Sequence, residues 1–540
     1  MTHTTVLKGL SETAAARRTL AARLIRDEDG SMLLFGLYLF MGIMLIGGIS
    51  VDIMRNEYTR LRLQNTVDTA VLAAADLDQR LDPRAVVTDY FDKAGMAGYL
   101  GTINVVESIN SRTVTATSSV DVGTLFVNTL GVDSLAARAL GTAREEISDI
   151  EIAMVLDVSG SMGWGTRLGE MKQAATNFVN TVLSDERSVA GEGEVSVSIV
   201  PYSTQVNIGK TVTDQMDLSY RQDYSHCVDF ESGDFSTTAL PGANRNQTGH
   251  FDPWTRTSPP AAFVCRNDPA FQVHPLGGNK AALLAQIAAL TPGGNTSTDV
   301  GLKWGAALLD PSFRTITDDL IAAGEVAADF ADRPFDFNRP NTMKVLVVMT
   351  DGAHTNQYML RNEFNAGLSD VWGRQYSDGS WRFSVDHQEY GNEDGDSTKW
   401  EDWYWARTDS WSNSRDGGNS NTRQLSYQEL WNAASLGYNA YYMWYRQNDN
   451  ASLYWDWYRN NTRTYVGAWE KDRRMRMICA EAKAKGILVF SVAFEIDESD
   501  APLMKECASS ENHYFEVNGN DIVYAFSAIA STINQLRLIQ

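Results

Sequence analysis

The stretch Ile152-Ala153-Met154-Val155-Leu156-Asp157-Val158-Ser159-Gly160-Ser161 decides how this chain is read. Its first five residues form a continuous apolar run, the pattern of a strand buried on both faces of a parallel sheet. Gly160 turns the chain, and a helical pattern starts near Arg167. One carboxylate and two hydroxyls therefore sit at the carboxyl end of a strand, where open α/β sheets place ligands. All three are hard oxygen donors, the kind magnesium, calcium and manganese prefer.

Working outward, three more segments read as strands: Val195–Val200, in which Ser alternates with apolar residues, and the largely apolar Val345–Met349 and Ile487–Val492. Helical patterns lie near 167–184, Lys280–Leu290, Asp299–Leu309, Glu470–Lys485 and Asp521–Leu536. Strands alternating with helices imply an α/β fold with a doubly wound, mostly parallel sheet. Two long segments, about 203–280 and 354–470, interrupt it and read as insertions. The second holds eleven of the fourteen tryptophans: Trp372, Trp381, Trp400, Trp403, Trp405, Trp411, Trp431, Trp444, Trp455, Trp457 and Trp469. These aromatics read as the insertion's own core or as a platform for a glycan or protein ligand. Asn392-Glu393-Asp394-Gly395-Asp396-Ser397 lacks the EF-hand spacing and reads as a solvated acidic loop.

The strand-end motif has companions. Thr296 and Thr298 lie in the loop Thr291–Gly301, and Asp351 follows the third apolar run in Met349-Thr350-Asp351-Gly352. Asp157, Ser159, Ser161, Thr298 (or Thr296) and Asp351 together make a candidate site for Mg2+, with Ca2+ or Mn2+ as alternatives. Two carboxylates and neutral hydroxyls leave a divalent ion partly electropositive. An open position on it attracts a carboxylate from a protein partner. The sequence shows no Gly-rich phosphate loop, G-x-S-x-G elbow or H-E-x-x-H, and its seven histidines form no pair at metal-ligand spacing. His354, near the candidate site, reads as a loop residue. The chain is read as a binding protein and not as an enzyme.

Ser31–Val51 is an uncharged apolar stretch of about 21 residues, long enough to cross a bilayer as a helix. Residues 1–30 read as a cytoplasmic tail, partly helical between Ser11 and Arg26. Arg17, Arg18, Arg23 and Arg26 precede the span and Arg55, Arg60 and Arg62 follow it, which leans toward a cytoplasmic N-terminus. That places the C-terminal body in the periplasm of a single-pass inner-membrane protein. Four cysteines, an even number, fit an oxidising compartment. Proximity pairs Cys227 with Cys265 and Cys479 with Cys507, one of three connectivities, with free thiols as the alternative. Beyond the span, Arg55–Asp78 is helical with Leu61, Val67, Val71, Leu72 and Ala75 on one face, and residues 84–145 read as short strands, among them Thr113–Thr117 and Ser119–Val122. Residues 52–147 thus form a small α+β region, and 148–540 the α/β domain. The formal net charge of -22 argues against nucleic acid as a partner, since phosphate binding needs clustered Lys and Arg.

Asp157-x-Ser159-x-Ser161, the threonine loop and Thr350-Asp351-Gly352, in this order, resemble the von Willebrand factor A family and its metal-ion-dependent adhesion site (MIDAS). The resemblance implies a Rossmann-like fold with Ser159 and Ser161 binding the metal directly, Asp157 and Asp351 acting largely through water, and Thr298 binding in the ligand-competent state. It also implies a closing helix, Asp521–Leu536, that shifts with ligand state. Asp29-Gly30-Ser31, the apolar span, Val51-Asp52 and Leu63-Gln64-Asn65-Thr66-Val67-Asp68-Thr69-Ala70-Val71-Leu72-Ala73-Ala74-Ala75 are similar to the start of TadE/TadG-like pilus-assembly proteins of the tight-adherence (Flp) system. Processed pilins of that class carry Glu at the fifth position after the leader glycine, where this chain has Phe35, so prepilin cleavage is not expected. Together the resemblances imply a membrane-anchored, metal-dependent adhesion component that binds pilus-assembly partners. The rival reading is a surface adhesin without a pilus role.

Overall fold

The computed structural model describes residues 29–76, 81–107, 111–146, 149–183, 195–240, 242–386 and 403–539. The Ser11–Arg26 helix, the acidic run Asn392–Ser397 and Trp400 lie outside them. The chain divides into two compact units, Met1–Glu146 and Ile147–Gln540.

The first unit opens with one continuous helix, α1 (Asp29–Ala75). The apolar span and the helical stretch after it are therefore a single element, about 70 Å long at 1.5 Å per residue. Its N-terminal half is long and apolar enough to cross a membrane, and its side chains there are exposed. Its C-terminal half packs on α2 (Pro83–Lys93) and on the antiparallel sheet β1 (Leu100–Glu107), β2 (Ser111–Gly123) and β3 (Ser134–Glu146), in the order β1-β2-β3. The buried stripe on α1 is Leu63, Val67, Ala70, Val71 and Ala74, whereas Leu61 and Leu72 point outward. Helical spacing selects the stripe, and the sheet decides which of two apolar faces is covered. The two short strands expected at 113–122 are one strand of 13 residues. Pro83 at the first helical position and Asp82 as its cap start α2 within a segment the sequence pattern left to strands.

The second unit is built on a six-stranded sheet. Its strands are β4 (Asp149–Asp157), β5 (Val195–Tyr202), β6 (His274–Gly277), β7 (Thr342–Thr350), β8 (Leu488–Phe494) and β9 (Tyr514–Val517), in the order β9-β8-β7-β4-β5-β6. Five run parallel and β6 pairs antiparallel on the edge. Alternate side chains of β4 serve opposite cores. Ala153 and Val155 pack with helices α5 (Thr298–Ala307) and α6 (Ala468–Ala484). Ile152, Met154 and Leu156 pack with α3 (Arg167–Val182), α4 (Lys280–Ala289) and α7 (Asp521–Ile539). Burial on both faces keeps these strands mostly apolar, and the polar residues they carry, among them Glu151, Ser196, Ser198, Lys344 and Ser491, are buried as well.

The insertions are more ordered than the sequence pattern implied. The first supplies β6 and a small three-stranded sheet, and the Cys227–Cys265 disulfide closes it. The second carries a five-stranded antiparallel sheet between Leu368 and Ser426. Phe251 and Val264 of the first join Phe383, Tyr404, Trp431 and Trp444 of the second in one core. A second disulfide, Cys479–Cys507, ties α6 to the helix Ala501–Cys507.

Candidate metal centre

Four parallel strands deliver side chains to one end of the sheet. Asp157 ends β4, Tyr202 ends β5, Thr350 ends β7 with Asp351 next, and Glu495 follows β8. Register places Tyr202 directly beside Asp157. The loop after β4 is fixed by backbone hydrogen bonds: Val158 N–H donates to Tyr202 O (3.0 Å), Gly160 N–H to Gly294 O (2.9 Å) and Gly293 N–H to Val158 O (2.9 Å). These bonds knit the serine loop to the threonine loop. A Cβ on Gly301 or Gly305 would lie 2.7 Å or 2.5 Å from Tyr202 or Val155, so glycine there lets α5 approach the sheet and set Thr298 at its edge.

The Asp157 carboxylate is fully buried and held at both oxygens. Oδ1 accepts from Ser159 N–H (2.8 Å), and Oδ2 accepts from the hydroxyls of Thr350 (2.7 Å) and Tyr202 (3.1 Å). The Tyr202 hydroxyl also lies 3.1 Å from Thr298 Oγ1, so Tyr202 links the threonine loop to Asp157. Ser159 Oγ is 3.1 Å from Ser161 Oγ, and Ser161 Oγ donates to Asp351 Oδ1 at 2.7 Å. Asp157, Ser159, Ser161, Thr298 and Asp351 thus belong to one hydrogen-bonded network. The Thr296 backbone is tied to neighbouring loops: its N–H donates to Thr355 Oγ1 (2.8 Å) and its carbonyl accepts from Lys471.

Electrostatics set the character of the site. Burial, then repulsion from Asp351, pushes the Asp157 carboxyl above its ordinary range, and burial also raises Asp351. Two neighbouring carboxyls in a dry setting favour a nearby cation. Arg167, the first residue of α3, supplies one: Nη1 contacts Asp351 Oδ2 at 2.9 Å and Nε contacts Glu495 Oε2 at 2.7 Å. Lys471 lies behind the threonine loop, where it donates to Ser297 Oγ and Thr355 O at 2.7 Å each. His354 ties the loop after Asp351 to α6 through Asp472, with Nδ1 2.8 Å from Oδ1. Tyr202, Arg167, Glu495 and Lys471 are the contributors that motif reading missed. Tyr202 had a signal, since parallel register beside Asp157 follows from two adjacent strands ending together. Arg167 and Glu495 are 328 positions apart and carry none.

The donor set suits a hard divalent cation. No cluster of three or more His, Cys, Asp or Glu side chains placed to hold a metal occurs among the described residues. The set is instead two carboxylates and three hydroxyls, all oxygen. Asp157 already accepts three hydrogen bonds, which suits a role through water. The serine oxygens lie 3.1 Å apart on one turn.

Comparison with known proteins adds the following. No curated protein matches the chain. Among solved structures it is similar to the vWF domain of the type V pili tip protein Mfa5 from Porphyromonas gingivalis, with 15% identity, a TM-score of 0.32, and coverage of 73% of this chain and 97% of that one. It is also similar to the pilus adhesin SpaC from Lactobacillus rhamnosus GG (13%, TM-score 0.29, 80% of this chain and 34% of that one). The PilB minor pilin from Streptococcus sanguinis is a third (11%, TM-score 0.28, 81% and 78%). Structural likeness at this level leaves the functional reading to the residues themselves. Residues 30–77 match the family model described as Tad, putative Flp pilus-assembly TadE/G-like, so the N-terminal part of the chain carries a TadE/G-like pilus-assembly segment.

Proposed function

We propose that this is a membrane-anchored component of a Tad/Flp-type pilus system whose second unit, a von Willebrand factor A-type domain, grips a protein partner through a divalent cation. The observation that carries the reading is the convergence of Asp157, Ser159, Ser161, Thr298 and Asp351, from three separate loops, in one network at the carboxyl end of a parallel sheet. Ser159 and Ser161 would hold the ion directly, Asp157 and Asp351 through water, and Thr298 from the facing loop. Bound there, the ion supplies an electropositive centre that a partner's carboxylate can complete. Magnesium fits, as do calcium and manganese.

Two exposed tryptophans support protein binding at this end. Trp164, 68% exposed, closes the turn that begins at Ser161, and Trp469, 76% exposed, stands at the start of α6 two residues before Lys471. Exposed tryptophan is costly to leave in water and is enriched at protein interfaces. In this proposal the N-terminal tail is cytoplasmic, the second unit periplasmic, and the partner a pilus-assembly component.

Thermal unfolding of the full chain in detergent tests the metal. Magnesium at about a hundred times its Kd stabilises a one-site protein by about 2.7 kcal/mol. The wild type is expected to show a magnesium-dependent rise in Tm, and Ser161→Ala, which removes one ligand from a half-buried turn, to lose it. An equal rise in both proteins places the ion elsewhere and defeats the reading.

A further inference from the structure

The loop between β2 and β3 has an unusual surface. Leu125 is 62% exposed and Leu130 57%, and Phe126 and Val132 are also exposed. Four large apolar side chains on one short loop are more than isolated surface residues, and a cluster of this kind marks a contact. The base of the loop is closed by Thr124, whose N–H donates to Asp133 O at 3.0 Å.

What holds this loop is α1. The Asp52 carboxylate accepts from three consecutive backbone N–H groups: Leu125 (2.9 Å), Phe126 (2.7 Å) and Val127 (2.9 Å). The Phe126 ring lies against Gly48, where a Cβ would come within 2.4 Å of its Cγ, so a side chain at 48 would push the loop off the helix. Arg55 reaches Gly123 O at 3.4 Å, and Asn56 Nδ2 donates to Leu135 O at 2.9 Å. The loop is therefore fixed at a defined height on α1. Its base is level with Asp52 and Arg55, the first charged residues after the apolar span, and Phe126 is level with Gly48, one turn inside that span.

From this placement we infer that Leu125, Phe126 and Leu130 enter the lipid bilayer beside α1, making the loop a second, monotopic membrane contact. The occupant is lipid because the exposed loop residues continue the exposed apolar surface of α1, which includes Met44 and Val51. Lipid already covers that surface if α1 spans the membrane. Asp52 accepts hydrogen bonds from backbone amides that would otherwise enter an apolar medium unpaired. A loop pinned in this way limits how far the first unit can tilt about the end of its anchor.

The inference rests on α1 being a membrane span, and the test separates the two. All four native cysteines are disulfide-bonded, so an introduced cysteine is the single free thiol. Full-length protein carrying Leu125→Cys, Leu130→Cys, Met44→Cys or Val106→Cys is spin-labelled and reconstituted into phosphatidylcholine/phosphatidylglycerol vesicles. Power saturation then compares collisions with oxygen, which concentrates in lipid, and with a nickel chelate, which stays in water. The oxygen-to-nickel ratio at 125 and 130 is expected to be several-fold above that at 106, an exposed site on β1, and to approach that at 44. Asp52→Ala should return the label at 125 toward the aqueous value when added to Leu125→Cys, and leave the label at 44 unchanged when added to Met44→Cys. A lipid ratio at 44 with aqueous ratios at 125 and 130 overturns the loop inference alone. Aqueous ratios at 44 overturn the span as well. Immobile labels at 125 and 130 that neither reagent reaches reveal a protein neighbour in place of lipid. A ratio at 125 unaffected by Asp52→Ala removes the role given to that carboxylate.

Discussion

The carboxyl edge of the sheet and the aromatic insertion beside it stabilise themselves by opposite means. The edge relies on direction: short loops, backbone hydrogen bonds and a buried carboxylate with three donors aimed at it. The insertion relies on area. Trp444 stacks on Trp457 at 4.5 Å and Trp381 on Phe383 at 5.8 Å, and Trp431 lies buried with its indole N–H on Phe364 O at 2.9 Å. Among the described tryptophans of the insertion only Trp455 and Trp469 are exposed. Most of its aromatic wealth is therefore spent on its own core and little remains as a ligand platform. Abundance of a residue type marks where a core had to be made, and a handful of hydroxyls marks the candidate site.

Deleting area should do the greatest damage to the insertion and none to the edge. Trp431→Ala removes a buried indole and leaves the Phe364 carbonyl without its donor, at an expected cost of about 3–5 kcal/mol in denaturant unfolding. The magnesium-dependent shift in Tm should survive in the folded fraction, and its loss would show that the two regions are one cooperative device. Next in size is a pH effect seated in the first insertion, where His250 stacks on Tyr224 and Phe263. His250 lies 3.7 Å from the Phe263 ring and parallel to it, and burial pushes its pKa down to about 4. The unfolded chain, with histidine near 6.5, binds the proton more readily than the folded one. Stability is therefore complete above about pH 6.5 and falls as the pH drops toward 4, by about 3 kcal/mol at most. His250→Gln should flatten that slope relative to wild type, as measured by urea midpoints between pH 7 and 4.5. Parallel pH profiles would show that the ring is not the titrating group.

The same contrast governs what could be read from the chain. Burial on both faces makes strands β4, β5, β7 and β8 predominantly apolar, so the sheet's strands and the helices between them show as pattern. Asp157, Ser159, Ser161, Thr298 and Asp351 sit at strand or helix ends, where few residues separate the motif from its element. The insertion's five-stranded sheet stayed hidden because its strands are short, some of only three residues, and mix aromatics with Ser, Asp and Arg. Its core also borrows Phe251 and Val264 from more than a hundred residues upstream, which no local period can show. The Cys227–Cys265 and Cys479–Cys507 disulfides join neighbours in sequence, where proximity was enough. The Arg167–Glu495 pair depends on tertiary contact alone.

That pair offers the finest cut between the regions, because it changes a single charge and almost no area. Arg167 balances Asp351 and Glu495 and lies 5.7 Å from the Trp164 ring. In the proposed function it competes with the divalent ion for Asp351. Arg167→Gln keeps the length and a donor but removes the charge, so the site becomes more negative by one. A unit charge about 6 Å away in a partly wet site is worth on the order of 1 kcal/mol. Affinity for magnesium, followed by calorimetric titration, should rise several-fold, and the gain should shrink as salt is added. The insertion, with no charge at stake, should unfold as it does in wild type. A fall in affinity would mean that Arg167 serves the ion by orienting Asp351, so that the edge depends on a rigid frame more than on the balance of its charges.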